Sequence, residues 1–402
     1  MRPQSRISSV ARSVFCFVVL AVCLGGPATA QQDKASAPIP PSTLALIKAR
    51  GSSAEAPILL RAYKKESEIE VWKRAGNGRF VFIKTYPICR WSGQLGPKTK
   101  TGDRQTPEGF YTVAKSQMNP NSHYYLSFDV GYPNAYDKAH GYTGSAVMVH
   151  GICSSMGCFA MTDTVAGELF AVAREAFSGG QTAFQFQSFP FRMSAANMAR
   201  YRSDANIAFW RQLKEGSDRF EATGQEPVAT VTAGRYAFAP LKDKEQEALA
   251  GARVKEEAAH VASLVEDGAA AVRTTYSDGG QHPFWAALIS RGVPVGEVSR
   301  PEALAYAGQE VVLIPARRKA PPISPLPEAV WAAAIATGTP FANVRTRNFV
   351  PPYETPVPRF AFEIAPDYAA KPPLLLRGPA EGLLAAPAFT GTRPLVDIVA
   401  QK

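Results

Sequence analysis

His150 and Cys158, eight residues apart, are the pair in this chain best suited to covalent chemistry. They sit within His150-Gly151-Ile152-Cys153-Ser154-Ser155-Met156-Gly157-Cys158-Phe159. A free thiol has a pKa of about 8.5 and is mostly protonated at neutral pH, so it needs a base to become a nucleophile. An imidazole within reach can take that proton, and an adjacent imidazolium lowers the thiol pKa further. Gly157 has no Cβ, which lets backbone amides crowd toward the sulfur where an acyl transfer needs an oxyanion hole. The amides of Gly157 and Cys158, with Met156, are the expected donors. In this reading Cys158 attacks a carbonyl, and His150 takes the thiol proton and later returns it to an amine. A third group usually fixes the tautomer of such an imidazole, and no acidic residue stands out for the task. Two structural alternatives stand beside this reading. His150 can be a core histidine at a strand end, and Cys158 can pair with Cys153 while Cys89 is simply buried. His140 is the second candidate for the base.

The elements that must hold these residues are partly legible. Ser67 to Trp72 alternates polar and apolar residues, Gly76-Asn77-Gly78 follows, and Arg79 to Lys84 is apolar again. That pattern predicts a β-hairpin. Thr101 to Tyr111 is rich in turn residues and leads into another strand. Ser145 to Val149 predicts a short strand with His150 at its end. After the cysteine, Thr162 or Asp163 can cap a helix carrying Val165, Leu169, Val172 and Ala176 on one face. Ala183 to Gln187 alternates and predicts a strand. Thr43 to Arg50 predicts a short helix, and Ser194 to Lys214 a longer one with Phe209 and Trp210 turned inward. The fold class expected is mostly β with flanking helices.

The segment resembles the catalytic motif of the YkuD-type L,D-transpeptidases, in which an upstream His-Gly is followed by Ser-His-Gly-Cys. Here the tetrad is Ser155-Met156-Gly157-Cys158, so Met156 replaces the inner histidine, and Ala160 replaces a basic or amide residue. These departures match the YafK-like branch, whose Gly-Cys-aromatic-Ala-Met-Thr-Asp run is similar to Gly157 through Asp163. The resemblance covers residues 55–238, including Gly102-Asp103 with Thr106-Pro107-Glu108-Gly109. It implies an L,D-transpeptidase-like β-sandwich or mixed sheet, Cys158 as nucleophile, His150 as base, and the Gly151 carbonyl as the group that orients the imidazole. It also implies that Asn134, Tyr136, His140, Tyr142 and Ser155 line a substrate cleft, although ordinary loop hydrogen bonding accounts for the first four equally well. The implied substrate is a peptidoglycan stem peptide, cleaved at the carbonyl of the L-centre of diaminopimelate. An amine resolves the thioester in a transpeptidase. Water resolves it in an endopeptidase or carboxypeptidase, including members of this branch that detach an outer-membrane lipoprotein. A binding module that has lost catalysis is the third reading.

The rest of the chain sets the context. Arg2, Arg6 and Arg12 precede an apolar run from Val14 to Leu24, and Ala28-Thr29-Ala30 forms a small-x-small site. This predicts a signal peptide over residues 1–30, cleaved after Ala30, and a periplasmic protein. Val22 disfavours lipidation at Cys23, since that site wants a small residue before the cysteine. Loss of the three leader arginines takes the formal charge from +10 to about +7. No basic, aromatic-interleaved stripe suggests nucleic acid. His123, His260 and His282 fit no metal-ligand spacing, and no cofactor is expected. Three remaining cysteines in an oxidising compartment predict at most one disulfide and a free thiol. Residues 31–54 read as a linker, 239–278 as a helical segment, and 279–402 as a Pro/Ala-rich extension, partly disordered, in which Phe284, Trp285 and Trp331 can serve as anchors. On the resemblance alone, removing everything after residue 240 should leave catalysis intact.

Overall fold

The computed structural model describes residues 33–295 and 308–317. The leader expected over residues 1–30, Trp331 and the chain beyond 317 lie outside the described residues. In chain order the elements are α1 (Pro41–Ala49), β1 (Ile58–Tyr63), β2 (Glu68–Arg74), β3 (Phe80–Pro87), β4 (Gly109–Ala114), β5 (Met118–Asn119), β6 (Ser127–Asp129), α2 (Ala135–Ala139), β7 (Met148–His150) and β8 (Phe159–Ala160). They continue as α3 (Asp163–Ser178), β9 (Ala183–Phe189), α4 (Ala195–Arg200), α5 (Ile207–Thr223), β10 (Ala229–Thr232), β11 (Arg235–Phe238), α6 (Lys244–Glu266), β12 (Ala271–Thr275), α7 (Pro283–Ser290) and β13 (Gln309–Ile314).

Two sheets carry the fold. The larger runs β3-β2-β1-β9-β4, with β1 and β9 parallel and the other pairs antiparallel. The smaller runs β5-β6-β7-β8, with β7 and β8 parallel. The mixed sheets with flanking helices are the expected fold class. The β2–β3 hairpin forms around Asn77-Gly78, where Gly78 adopts φ +80°, a left-handed conformation open to glycine at little cost.

Strand β9 shows why the alternating pattern holds when both faces are covered. Phe184 and Phe186 point to one side and meet Phe177 of α3 at 5.6 Å and Phe159 at 5.0 Å between ring centroids. Gln185 and Gln187 point to the other side and are also buried. There Gln187 accepts from Arg61 Nε at 3.0 Å, and Arg61 reaches Ser217 of α5 at 2.7 Å. The glutamines are tolerated because the interior gives them partners. The helix expected over Ser194–Lys214 is two helices, because the chain turns through Tyr201 to Asn206 before α5 begins. Phe209 and Trp210 do turn inward.

The elements after residue 240 pack on this core. Lys214 of α5 is buried and donates to Asp218 and to Glu257 of α6. Gly280 forms a β-bridge with Trp91, and Arg90 pairs with Asp278 at 3.1 Å. Trp285 of α7 is 5% exposed and donates to the Pro87 carbonyl at 2.9 Å. The expected boundary near residue 238 therefore has no counterpart in the packing. The helix expected over 239–278 ends at Glu266 and gives way to β12, while α7 and β13 form ordered structure inside the segment expected to be an extension. Local composition is a poor guide there, because those residues are ordered by contacts with distant ones.

Candidate active site

Strand register assembles the central pair. In the parallel β7–β8 pair His150 lies opposite Ala160, and Val149 opposite Phe159. Side chains alternate along a strand, so His150 and Met148 share one face with Ala160 and Cys158, while Val149 and Phe159 point into the core. Residues one strand across and two along are separated by about 7–8 Å between backbones, within reach of a thiol and an imidazole. The Met148 amide donates to Cys158 Sγ at 3.4 Å, which fixes the sulfur against β7.

His150 is almost fully buried. Its Nδ1 is hydrogen-bonded to the Gly151 carbonyl, which assigns the proton to Nδ1 and leaves Nε2 as the basic nitrogen. Burial pushes the imidazole pKa down; the Gly151 carbonyl and the Asp163 carboxylate oppose that shift. The ring of Tyr124 lies against the imidazole at 4.7 Å between centroids, tilted by 40°. In this state the Cys158 thiol directs its proton to the Ala146 carbonyl at 3.8 Å. Burial pushes the thiol pKa up, partly offset by the Met148 amide and the Lys98 charge. Both shifts favour a neutral thiol and a neutral imidazole over a standing thiolate–imidazolium pair. The thiol pKa therefore moves opposite to the lowering that an adjacent imidazolium would produce.

The turn between them is held in an unfavourable conformation. Ile152 has φ +57°, which is rare and costly for a β-branched residue. Its amide donates to Asp163 Oδ1 at 2.8 Å. A Cβ on Gly151 would lie 2.5 Å from that same oxygen and 2.8 Å from Tyr125 Cβ, so only glycine fits. Cys153, next in sequence, is bonded to Cys89 across 64 residues with Cα atoms 5.4 Å apart. Cys158 is the free thiol among the described residues, so the alternative Cys153–Cys158 pairing does not occur. Asp163 is the residue that sequence reasoning assigned only to helix capping. Its signal was its place at the end of the Gly157–Asp163 run, but its acceptor role depends on the left-handed Ile152, which composition does not reveal.

The other expected site residues are placed as follows. Gly157 adopts φ +131° and its amide donates to Ser155 Oγ at 3.2 Å. Ser155 is buried, donates to the Cys158 carbonyl at 2.7 Å and meets Ser92 at 3.1 Å, so it braces the loop from within. Met156 is 73% exposed at the rim. Asn134 caps α2 by accepting from the Asp137 amide at 3.0 Å, and its Nδ2 reaches the Phe110 carbonyl and Tyr236. Tyr136 is buried against Phe209 and Tyr236. His140 bonds the Tyr136 carbonyl through Nδ1 at 2.9 Å and lies against Tyr136 and Tyr142. These contacts tie Asn134, Tyr136 and His140 to one another and to α5 and β11, and none of them reaches Cys158.

The Gly102–Gly109 element is a scaffold. Asp103 accepts from the amides of Thr99, Lys100 and Gln105 and pairs with Lys98. Glu108 and Lys64 form an ion pair at 3.0 Å with both side chains fully buried, and Glu108 also accepts from Trp210 Nε1 and the Gly96 amide. Among the described residues, no group of three His, Cys, Asp or Glu side chains is placed to hold a metal ion. No described helix is long and apolar enough to cross a membrane.

Fold and site together define an L,D-transpeptidase catalytic domain of the YkuD type, and a sequence model of that domain matches residues 58–178. The chain is 42% identical over 180 residues to YafK of Escherichia coli K12, which carries an L,D-transpeptidase name, covering 45% of this chain and 73% of that protein. The same figures hold for YafK of Escherichia coli O157:H7. The chain therefore belongs to the YkuD L,D-transpeptidase family and is an L,D-transpeptidase or a related cysteine peptidase; such a domain implies a peptidoglycan substrate. Among solved structures, the helical cell shape determining protein Pgp2 from Campylobacter jejuni aligns at a TM-score of 0.28 and 14% identity, over 58% of this chain and 80% of that one. Bdellovibrio bacteriovorus Bd1075 aligns at 0.23 and 18%, over 55% and 76%.

Proposed function

We propose that the protein is an exported, periplasmic transpeptidase that acylates Cys158 with peptidoglycan stem peptides, using His150 as base. The observation that carries this reading is the β7–β8 register, which puts Cys158 and His150 on one face with Nδ1 turned to the Gly151 carbonyl. The thiol rotates from the Ala146 carbonyl toward Nε2, gives up its proton there, and sulfur bonds the carbonyl carbon at the L-centre of diaminopimelate. The tetrahedral oxyanion collapses, the carbon–nitrogen bond breaks, and imidazolium protonates the departing amine. An acceptor amine then attacks the thioester, loses its proton to Nε2, and Cys158 leaves as thiol. If water takes the place of that amine, the same acyl-enzyme ends in hydrolysis; where the amine that departed belonged to a tethered outer-membrane lipoprotein, the net result is its release.

The test is mass spectrometry of muropeptides after incubating the purified protein with sacculi, beside Cys158→Ala and His150→Ala. New diaminopimelate–diaminopimelate links or exchange of the terminal D-amino acid, absent in both variants, support transpeptidation. Shortened peptides or freed lipoprotein remnants without new links identify the hydrolase. Unchanged sacculi, or turnover that survives Cys158→Ala, would remove the thioester mechanism.

A further inference from the structure

A cleft of about 560 Å³ opens beside the nucleophile, with Ser127, Asp129, Tyr132, Lys138 and Met148 in its wall. Met148 is the residue whose amide holds Cys158 Sγ. Asp129 lies opposite Met148 and Ser127 opposite His150 in the β6–β7 register, so they share the face of the catalytic pair. Three polar groups here keep bonding capacity that no described residue uses. Asp129 uses Oδ1 for the Gly131 amide at 2.7 Å, and no described ion pair or further side-chain hydrogen bond engages its carboxylate. Lys138, exposed on α2, makes no described ion pair. Ser127 is 2% exposed, yet its Oγ finds no hydrogen-bond partner among the described residues. Burial pushes the Asp129 carboxyl pKa up, as expected for a carboxylate without a countercharge.

A buried hydroxyl without a partner is uncommon in native structures and calls for an explanation. Here it lies in one cleft with an acid and a base that are not paired with each other. The complementary ligand is a zwitterion, with an ammonium for Asp129, a carboxylate for Lys138 and a polar edge for Ser127. We infer that this cleft seats the free α-amino-acid terminus of the donor's diaminopimelate side chain while Cys158 attacks the other centre of the same residue. The inference rests on the stem-peptide reading above. Distance agrees with it. Asp129 on β6 is two strands from Cys158, about 10 Å at ordinary strand spacing. The carbon spacer between the attacked carbonyl and the far α-carbon spans roughly 6 Å, and an ammonium–carboxylate contact adds about 3 Å. Specificity follows from the unpaired groups, because a site built to bond a polar group rejects an analogue lacking it more strongly than an apolar pocket can.

The experiment measures Cys158 acylation by stem tetrapeptides containing either diaminopimelate or lysine, the latter lacking only the side-chain carboxylate. Wild type should prefer the diaminopimelate peptide by about tenfold to a hundredfold, the range for one lost charge-assisted hydrogen bond. Lys138→Met should abolish that preference and leave the lysine peptide unaffected. Ser127→Ala should weaken acylation by the diaminopimelate peptide, and Asp129→Asn should slow both peptides, since both carry the ammonium. Asp129 also holds the Gly131 amide, so its variant is paired with a melting curve, and Lys138→Met, exposed and outside any described ion pair, decides the question. A preference that survives Lys138→Met, or a wild type that treats the two peptides alike, overturns the inference. Should neither peptide acylate wild type, the proposed function fails. The cleft is then read by calorimetry with free meso-diaminopimelate: binding lost in Lys138→Met supports it, and no binding to wild type refutes it.

Discussion

Asp163→Ala should slow the enzyme without touching substrate. Asp163 Oδ1 accepts from the Ile152 amide at 2.8 Å, Ile152 is held at φ +57°, and the preceding Gly151 carbonyl receives His150 Nδ1. A hydrogen bond to a charged acceptor contributes about 1.5–3 kcal/mol, and a β-branched residue gains about 1–3 kcal/mol by leaving the left-handed region. With the acceptor removed, the turn has reason to relax and carry the Gly151 carbonyl away from the imidazole. At 1.36 kcal/mol per tenfold, the hydrogen bond alone corresponds to a loss of roughly 10- to 150-fold in kcat/KM. A second effect acts through charge. Asp163 raises the His150 pKa against the lowering by burial, so its removal should move the acid limb of the pH profile to lower pH. Asp163→Asn separates the two, since its amide oxygen can still accept from Ile152 while the charge is gone. The assay is kcat/KM against pH for acylation by a stem tetrapeptide. Asn should recover most of the rate while showing the shifted limb, whereas Ala should combine the lost rate with the same shifted limb. An Ala variant with wild-type rate and limb would refute the idea that this carboxylate positions the base.

Other outcomes follow from the same geometry. Cys153→Ala removes a cross-link spanning 64 residues, and chain entropy predicts about 4 kcal/mol lower stability. Denaturant titration should register that loss, while folded protein at low temperature should still turn over. A chain ending at residue 240 strips Glu257 from buried Lys214 and Trp285 from its site over β3. It should melt early or fail to fold, whereas an unchanged melting curve would mean the later elements are separable. Iodoacetamide labelling of Cys158 across pH should rise later than for a free cysteine, because burial disfavours the thiolate. Labelling that is already maximal near neutrality would indicate a standing thiolate–imidazolium pair instead.

The sequence reading reached furthest where structure is local. The β2–β3 hairpin follows from Asn77-Gly78 between alternating runs, and α3 from the spacing of Val165, Leu169, Val172 and Ala176. The β7–β8 register puts His150 and Cys158 on one face because both fall at strand ends joined by a short loop. Residue type alone does not show where a polar side chain serves the backbone of its own turn. Ser155 and Asn134 have residue types suited to substrate contact, yet they brace the Cys158 carbonyl and the start of α2. Asp163, Asp129 and Ser127 are placed by register and a left-handed turn, neither of which is written in the spacing of residue types. The ordered elements after residue 240 are likewise held by long-range contacts such as Trp91 with Gly280.

The Cys89–Cys153 bond also bears on how the chain is oxidised. Cys158 lies only five residues beyond Cys153, whereas Cys89 is 64 residues before it. In an unfolded chain the shorter loop closes at a lower entropic cost, by about 2 kcal/mol on a logarithmic length dependence. Random oxidation thus favours joining Cys153 to the thiol that must stay free. The native link is secured only if β3 and β7 reach their places before the sulfurs react, or if a wrong bond is reshuffled by thiolate exchange. The proposed nucleophile is therefore also the main competitor for its neighbour's correct partner, and Cys158→Ala, which cannot mispair, is the form that should oxidise to a single species.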